Sequence, residues 1–296
     1  MSLNNNYRHM LKKIFGLFGL SATSVIERFG KWSLNVALRR KGELAFIDRL
    51  RQIVPDVSAQ ESRQVKHSAY IEIKRRGLQA FQCELMLGVV RALGKKNVTV
   101  VDIGDSAGTH MLYLKALVKN ASVETISVNL DPRAIDKIKS RGLRAIQCRA
   151  EEVLTHLPHS EVDIFTAFEM VEHLHNPTVF FHRLAKRIPY GKMIVTVPYV
   201  KQSRVGMQHI RLGKKEEQYA EDVHVFELCP QDWTLLLRHA GWRVFQQSVY
   251  YQYPTRWPFV SRLLAQIWKT YDYEGFWGVV LERDLTYAEL YKDWDE

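Results

Sequence analysis

The run Val98-Thr-Val-Val-Asp-Ile-Gly-Asp-Ser-Ala-Gly-Thr-His110 constrains the fold more than any other part of the chain. A β-branched apolar segment leads to Asp102, and glycines follow at 104 and 108. Such a segment reads as a strand buried in a parallel sheet. The glycines let the backbone turn sharply and come close to a ligand. The next residues, Met111 to Val118, read as a helix. Strand, glycine turn and helix, with an acid at the strand end, build a nucleotide-type pocket at the carboxyl ends of an open α/β sheet. The glycine pattern alone does not say which ligand the pocket holds.

The segments that follow repeat the alternation. A strand at 97–103 precedes a helix at 107–119, and a strand at 124–130 precedes Asp131-Pro132, an N-cap with proline at the first helical position. That helix runs to 140 and stops at Gly142. A strand at 143–148 precedes a short helix near 150–156; a strand at 163–168 precedes Glu169-Met-Val-Glu-His-Leu-His175. A helix at 177–187 leads to a strand at 192–197, closed by Pro198. Strands and helices at this spacing mean βαβ units. Residues 200–222 are polar and read as a long loop over the strand ends, of the kind that often serves as a lid. Order returns with a helix at 230–240, a strand at 242–249, an aromatic stretch at 250–275 and a last strand at 276–282.

The front of the chain differs. Of the net charge of +10, residues 1–96 carry +11, with 18 Lys/Arg against 7 Asp/Glu. This basic third is either a solvated helical surface or a docking face for an anionic partner, a membrane or a nucleic acid. Residues 1–60 read as helical and loosely organised, with a break near Val54-Pro-Asp56. A helical pattern then runs over 62–93, with Gly77 as a point of interruption and Gly94 as its cap. Leu11, Ile14, Phe15 and Phe18 share a helical face, with Lys12 and Lys13 off it. Such a helix lies at a membrane interface or packs on its own domain or a second subunit, as in a homodimer. The longest apolar stretch is too short to span a bilayer. Three cysteines without CxxC spacing fit a reducing, cytoplasmic setting. Trp257, Trp268, Trp277 and Trp294 crowd the C-terminal end, as a packed cap, a platform for a planar or glycan substrate, or a dimer interface.

Four segments in order carry a family resemblance. They are Asp102-Ile-Gly-Asp-Ser-Ala-Gly108; Phe168-Glu-Met-Val-Glu-His-Leu174 with Asn176-Pro177; Ala185 to Pro198; and His224 to Trp233 with Ala240-Gly-Trp-Arg-Val244. Together they resemble the class I S-adenosylmethionine-dependent methyltransferases over 97–283. The resemblance implies a Rossmann-like, seven-stranded, mostly parallel α/β sheet with its last strand antiparallel. On this reading residues 1–95 are a basic helical extension and 96–283 the methyltransferase domain. Loop 200–223 and the aromatic stretch 250–275 are insertions, and 284–296 is a tail.

The same resemblance implies the cofactor S-adenosyl-L-methionine. Asp102 would meet its ammonium group, and Gly104, Ser106 and Gly108 would form the close-approach turn. The usual ribose-binding acid is replaced by Asn129, with Asp131 two residues on, either a second ribose acceptor or only the helix N-cap. The usual adenine-side acid is Arg149, which cannot accept a hydrogen bond, leaving the amides of Ala150 and Glu151. Phe168 and Glu169 would flank the sulfonium.

The acceptor side leaves two readings. In ubiquinone-type O-methyltransferases and small-RNA 2′-O-methyltransferases, a Glu-x-x-Glu-His with a distant His resembles a divalent-metal site. Glu169, Glu172, His173 and His224 would then hold Mg²⁺ or Mn²⁺ and lower the pKa of a substrate hydroxyl. Without metal, His173 beside Glu172 is the first candidate general base, because an unperturbed imidazole titrates near neutrality, and His209 is the second. The expected reaction is O-methylation of a small molecule or of a sugar- or lipid-linked envelope intermediate. An RNA methyltransferase using the basic N-terminal third, and a non-catalytic binding module that keeps the fold, are the alternatives.

Overall fold

The computed structural model describes residues 22–57, 68–157, 162–187 and 191–291. The expected helix over Leu11–Phe18, the start of the 62–93 helix, and Trp294 lie outside the described residues.

Three helices come first: α1 (Ala22–Lys41), α2 (Leu44–Ile53) and α3 (Ala69–Leu93). The loose organisation expected for this region is not what the structure shows. Leu34, Leu38, Ile47 and Leu50 are fully buried and share one apolar cluster with sheet residues Val98, Val100, Ile194 and Val280. The chain does break after Ile53, and buried Arg76 on α3 holds that break in place. Its guanidinium donates to the carbonyls of Val54 (2.7 Å) and Pro55 (2.6 Å). Charge-assisted hydrogen bonds of this kind each contribute roughly 1.5–3 kcal/mol. Helix α3 starts at an N-cap, Ser68, whose hydroxyl accepts from the Ile71 amide, and ends at left-handed Gly94, as expected. Gly77 does not interrupt it. A Cβ there would lie 2.1 Å from the Tyr250 hydroxyl oxygen, so the glycine admits a neighbouring ring rather than a bend.

The strands β1 (Asn97–Ile103), β2 (Ser122–Asn129), β3 (Arg144–Gln147), β4 (Ile164–Phe168) and β5 (Lys192–Pro198) alternate with α4 (Thr109–Leu117), α5 (Pro132–Ser140), α6 (Val153–His156) and α7 (Pro177–Arg187). Beyond β5 come a two-stranded ladder, β6 (Arg204–Val205) with β7 (Phe226–Glu227), and between its strands the short α8 (Gln208–Arg211). Helix α9 (Pro230–His239), β8 (Trp242–Tyr251), α10 (Pro258–Tyr271) and β9 (Gly275–Arg283) follow. The main sheet has seven strands in the order β3-β2-β1-β4-β5-β9-β8. β1 to β5 are parallel, and the last strand, β9, runs antiparallel between β5 and β8. Strand order reverses at β1/β4, and an open sheet of this kind presents its ligand crevice there, beyond the carboxyl ends.

Two expectations need correction on the C-terminal side. The 200–222 segment is not bare loop, because it carries β6 and α8 and is tied to the strand ends through β7. The aromatic stretch is largely the helix α10, which sequence periodicity did not reveal. Tyr250, Tyr253, Trp268 and Trp277 are packed, whereas Trp257 is exposed. Among the described residues no helix is long and apolar enough to cross a membrane.

Candidate functional site

The crevice has two sides. On the first, β1 ends at Ile103 and the chain enters left-handed Gly104 (φ +89°), whose amide donates to the Val128 carbonyl (2.8 Å). A Cβ at Gly104 would sit 2.6 Å from Met170, and one at left-handed Gly108 would sit 2.3 Å from Leu143. These positions need glycine for both conformation and space. Between them Asp105 closes the turn. Its Oδ1 accepts from the amides of Ala107 (3.0 Å) and Gly108 (2.6 Å), and its Oδ2 from the Ser127 hydroxyl (2.6 Å). The Asn129 side-chain amide donates to the Asp105 carbonyl (2.9 Å), and its oxygen accepts the Asp131 amide (2.8 Å). The turns after β1 and β2 are thus stitched into one unit.

Asp102 is 2% exposed and accepts the Thr166 hydroxyl of β4 (2.7 Å). Burial and the neighbouring Asp105 push its carboxyl well above the usual range, and burial raises Asp105 too. Two buried acids this close favour a cation nearby. Ser106 is half-buried in the glycine turn. Asp131 caps α5, accepting from the Arg133 amide (2.9 Å), and is also paired with the Arg133 guanidinium (2.8 Å). Ala150 and Glu151 begin a single 3₁₀ turn after β3, and the Glu151 carboxylate lies 3.7 Å from Arg149. Phe168 ends β4 with its ring 4.8 Å from that of His110.

The second side begins one residue later. Glu169 holds φ +51°, a left-handed conformation rare for a residue with a side chain, with its amide donating a hydrogen bond to the Thr196 carbonyl (2.9 Å). Its Oε1 is buried with no hydrogen-bond partner among the described residues, and burial pushes its carboxyl up to about 8. Glu172 is 1% exposed, and neither of its carboxylate oxygens has a partner among the described residues. Burial and the nearby Glu169 raise its pKa well above the ordinary value. Buried polar atoms are nearly always paired, so three orphaned carboxylate oxygens within four residues mark a place where a ligand belongs.

The segment before α9 closes over these acids. The Val225 amide donates to the Glu172 carbonyl (2.7 Å), and His173 Nδ1 lies 3.0 Å from the carbonyls of both Ala220 and Val223. Burial and the adjacent His224 ring push His173 down to about 4, so it is a neutral imidazole near pH 7 and does not titrate where an isolated histidine would. The rings of His173 and His224 meet edge to face at 4.7 Å. His224 Nδ1 lies 3.2 Å from Glu227 Oε1, and the Tyr273 hydroxyl donates to the same oxygen (2.5 Å) while lying 2.9 Å from His224 Nδ1. Arg204 pairs with the other oxygen of Glu227. Although burial alone would raise Glu227, hydrogen bonds from His224, Tyr273 and Arg204 hold it down to about 2.

Glu172, His173 and His224 bring potential ligand atoms within 4.8 Å of one another. Glu169, the fourth member of the expected set, is not in that group. His209 sits on α8, outside the Glu172, His173 and His224 group, and its buried Nδ1 has no hydrogen-bond partner among the described residues. Sequence reasoning missed Asp105, Glu227 and Tyr273. Asp105 stood inside the quoted motif, but nothing in the chain marks Glu227 or Tyr273 as neighbours of His224.

A family described as "Methyltransferase domain" matches residues 101–195, from β1 to β5. Residues 101–195 thus carry a methyltransferase domain. Among solved structures, this methyltransferase is similar to magnesium protoporphyrin IX methyltransferase from Synechocystis with bound SAH. That match has a TM-score of 0.50 at 12% identity and covers 83% of this chain and 98% of the other. A Galdieria sulphuraria protein described as a sarcosine dimethylglycine methyltransferase gives a TM-score of 0.52 at 12% identity, over 79% and 95% of the two chains. An Aquifex aeolicus SAM-dependent methyltransferase gives 0.42 at 19% identity, over 66% and 87%. No curated protein matches this methyltransferase. At these identities the two likenesses with TM-scores of 0.50 and 0.52 speak for the fold alone, and they agree with the strand order.

Proposed function

We propose that this methyltransferase transfers the methyl group of S-adenosylmethionine to a hydroxyl of a small molecule or of a sugar- or lipid-linked intermediate. The turn Asp102–Gly108 and Asn129 would hold the cofactor. Asp102 and Asp105 form an acidic, buried floor suited to a cationic ammonium, and the Phe168 ring at the end of β4 would border the sulfonium end. The acceptor would lie against Glu169, Glu172, His173 and His224. S-adenosylmethionine would supply an electrophilic methyl group, and the Glu172–His173 pair would take the proton that the acceptor hydroxyl gives up. Such catalysis rests mostly on proximity and orientation.

The observation that carries this reading is the pair of orphaned Glu172 oxygens beside two imidazoles. A polar acceptor satisfies them, and so does a divalent cation. The donor set fits a cation. The Nδ1 of His173 is engaged by backbone carbonyls and that of His224 by Glu227, which leaves each Nε2 lone pair for a ligand. Two imidazoles with one carboxylate suit Mn²⁺ better than Mg²⁺. When bound, such an ion would lower the pKa of the acceptor hydroxyl.

Calorimetry with S-adenosylhomocysteine tests the cofactor side. Wild type gives binding heat, and Asp102→Ala binds at least about tenfold more weakly, the loss of one charge-assisted contact. No heat from wild type, or an unchanged affinity in Asp102→Ala, overturns the assignment.

A further inference from the structure

Helix α10 carries apolar side chains on two faces. One face is core: Leu264 and Trp268 are buried, and the Trp268 indole donates to Ser33 of α1 (3.1 Å). The other faces outward. Phe259 is 83% exposed and Leu263, one turn on, 63%, with Trp257 and Val260 also exposed. Exposed apolar residues gathered on one helix mark an interaction surface.

Charge says what covers this face. Residues 254–271 contain Arg256, Arg262 and Lys269 and no Asp or Glu. The basic last turn of α1 reaches it through Arg40, whose guanidinium stacks over Trp257 at 3.6 Å from the ring centre, while Lys41 turns to Glu43 and the Tyr250 ring. An apolar stripe with a purely cationic fringe complements an anionic lipid surface, where the apolar residues enter the headgroup–acyl boundary and the cations meet phosphates. At 14 residues the helix is about 21 Å long, too short to cross a bilayer. We infer that α10, with the basic end of α1, docks this protein on the surface of an anionic phospholipid bilayer.

The place of α10 in the chain links that surface to the site. The helix ends at Tyr271; Asp272 pairs with Lys74 of α3, and Tyr273 touches His224 and Glu227. Tyr273 lies two residues past the end of α10, so a bilayer under α10 would meet the segment that leads into the acceptor pocket, which suits a lipid-linked acceptor. That last step rests on the function proposed above; the docking itself does not.

Flotation of the full chain with phosphatidylcholine vesicles, with and without phosphatidylglycerol, tests the inference. Wild type floats only with the anionic vesicles. Phe259→Ser with Leu263→Ser weakens binding on the order of a hundredfold. Arg256→Ala with Arg262→Ala weakens it about thirtyfold, and high salt mimics that loss. Binding heat with S-adenosylhomocysteine stays at the wild-type level in both variants, since all four residues are exposed and remote from the glycine turn. The inference falls if wild type ignores anionic vesicles. It also falls if both variants float like wild type, which would place attachment elsewhere in the chain. A third overturning result is a wild-type dimer that the Phe259/Leu263 variant converts to monomer without any vesicle binding, which would make the face the seat of a second copy. A wild type that floats but gives no S-adenosylhomocysteine heat would instead break the methyltransferase reading and leave the docking intact.

Discussion

On the β1–β2 side of the crevice, Asp105 gives both carboxylate oxygens to the protein, accepting two backbone amides and the Ser127 hydroxyl. On the β4–β5 side, the equally buried Glu172 gives neither. Both acids are desolvated, so the contrast is not one of exposure. It lies in what each acid completes. Asp105 is an internal fastener that fixes the Gly104–Gly108 turn. Glu172 is desolvated with no hydrogen-bond partner among the described residues, and on the proposed function an incoming group would supply one. The left-handed φ at Glu169, three residues earlier, is a second departure from relaxed structure on the same side. Strain and unmet hydrogen bonds gather where chemistry is done.

Replacing the two acids should therefore move stability in opposite directions, and the largest effect falls on turnover. Glu172→Met removes the orphaned carboxylate while keeping the volume. Methyl transfer should drop about 10²–10⁴-fold, the range for loss of a proton-accepting group. Unfolding in denaturant should become harder by about 1–3 kcal/mol, the usual penalty of an unpaired buried polar group. A variant that is less stable than wild type would mean Glu172 has structural partners after all, and the contrast would collapse.

The converse change comes next in size. Asp105→Ala orphans two amides and a hydroxyl, and should cost about 3 kcal/mol of stability or more. Because the loss loosens the turn that Gly104 and Gly108 shape, affinity for S-adenosylhomocysteine should fall with it. Stability lost without affinity lost would separate the fastener from the binding surface.

A smaller effect is expected at Tyr273→Phe. The hydroxyl holds Glu227, which in turn orients His224. Groups that orient a working imidazole typically matter by 10–100-fold, and Arg204 remains on Glu227, so a loss near about tenfold in kcat is expected. Cofactor affinity should not change. An unaltered kcat would show that Arg204 alone keeps the pair in place.

How much of this was legible in the chain follows the same division. The side proposed for the cofactor is local: Asp102 to Gly108 and Asn129 to Asp131 sit at the ends of consecutive strands, where hydrophobic runs, glycines and an N-cap carry the signal. The side proposed for the acceptor is assembled from 169–173, 224–227 and 273, and only tertiary folding brings Tyr273 to His224. Charge states were illegible for the same reason. His173 loses its near-neutral titration to burial and to a ring 51 residues away in sequence, and neither shows in a local pattern. Helix α10 escaped because Phe259, Val260 and Leu263 put apolar side chains on its outward face among the polar ones, which blurs the period. Gly77 misled because a glycine that admits a distant ring reads the same as one that ends a helix.

The smallest effect bears on the cofactor side's own ambiguity. Asp131 caps α5 and is paired with Arg133, while Asn129 links the two turns. If Asp131 is a cap alone, Asp131→Ala should cost about 1 kcal/mol of stability and Asp131→Asn almost nothing, since asparagine caps as well. Affinity for S-adenosylhomocysteine should then be the same in all three proteins. If Asp131 also receives the ribose hydroxyls, Asp131→Asn should keep the stability and lose about tenfold in affinity, because the charge and not the cap is what the ligand would miss. The asparagine variant is the discriminating one. It leaves the helix start untouched, so any change in affinity must come from contact with the ligand and would extend the cofactor side beyond the fastened turn.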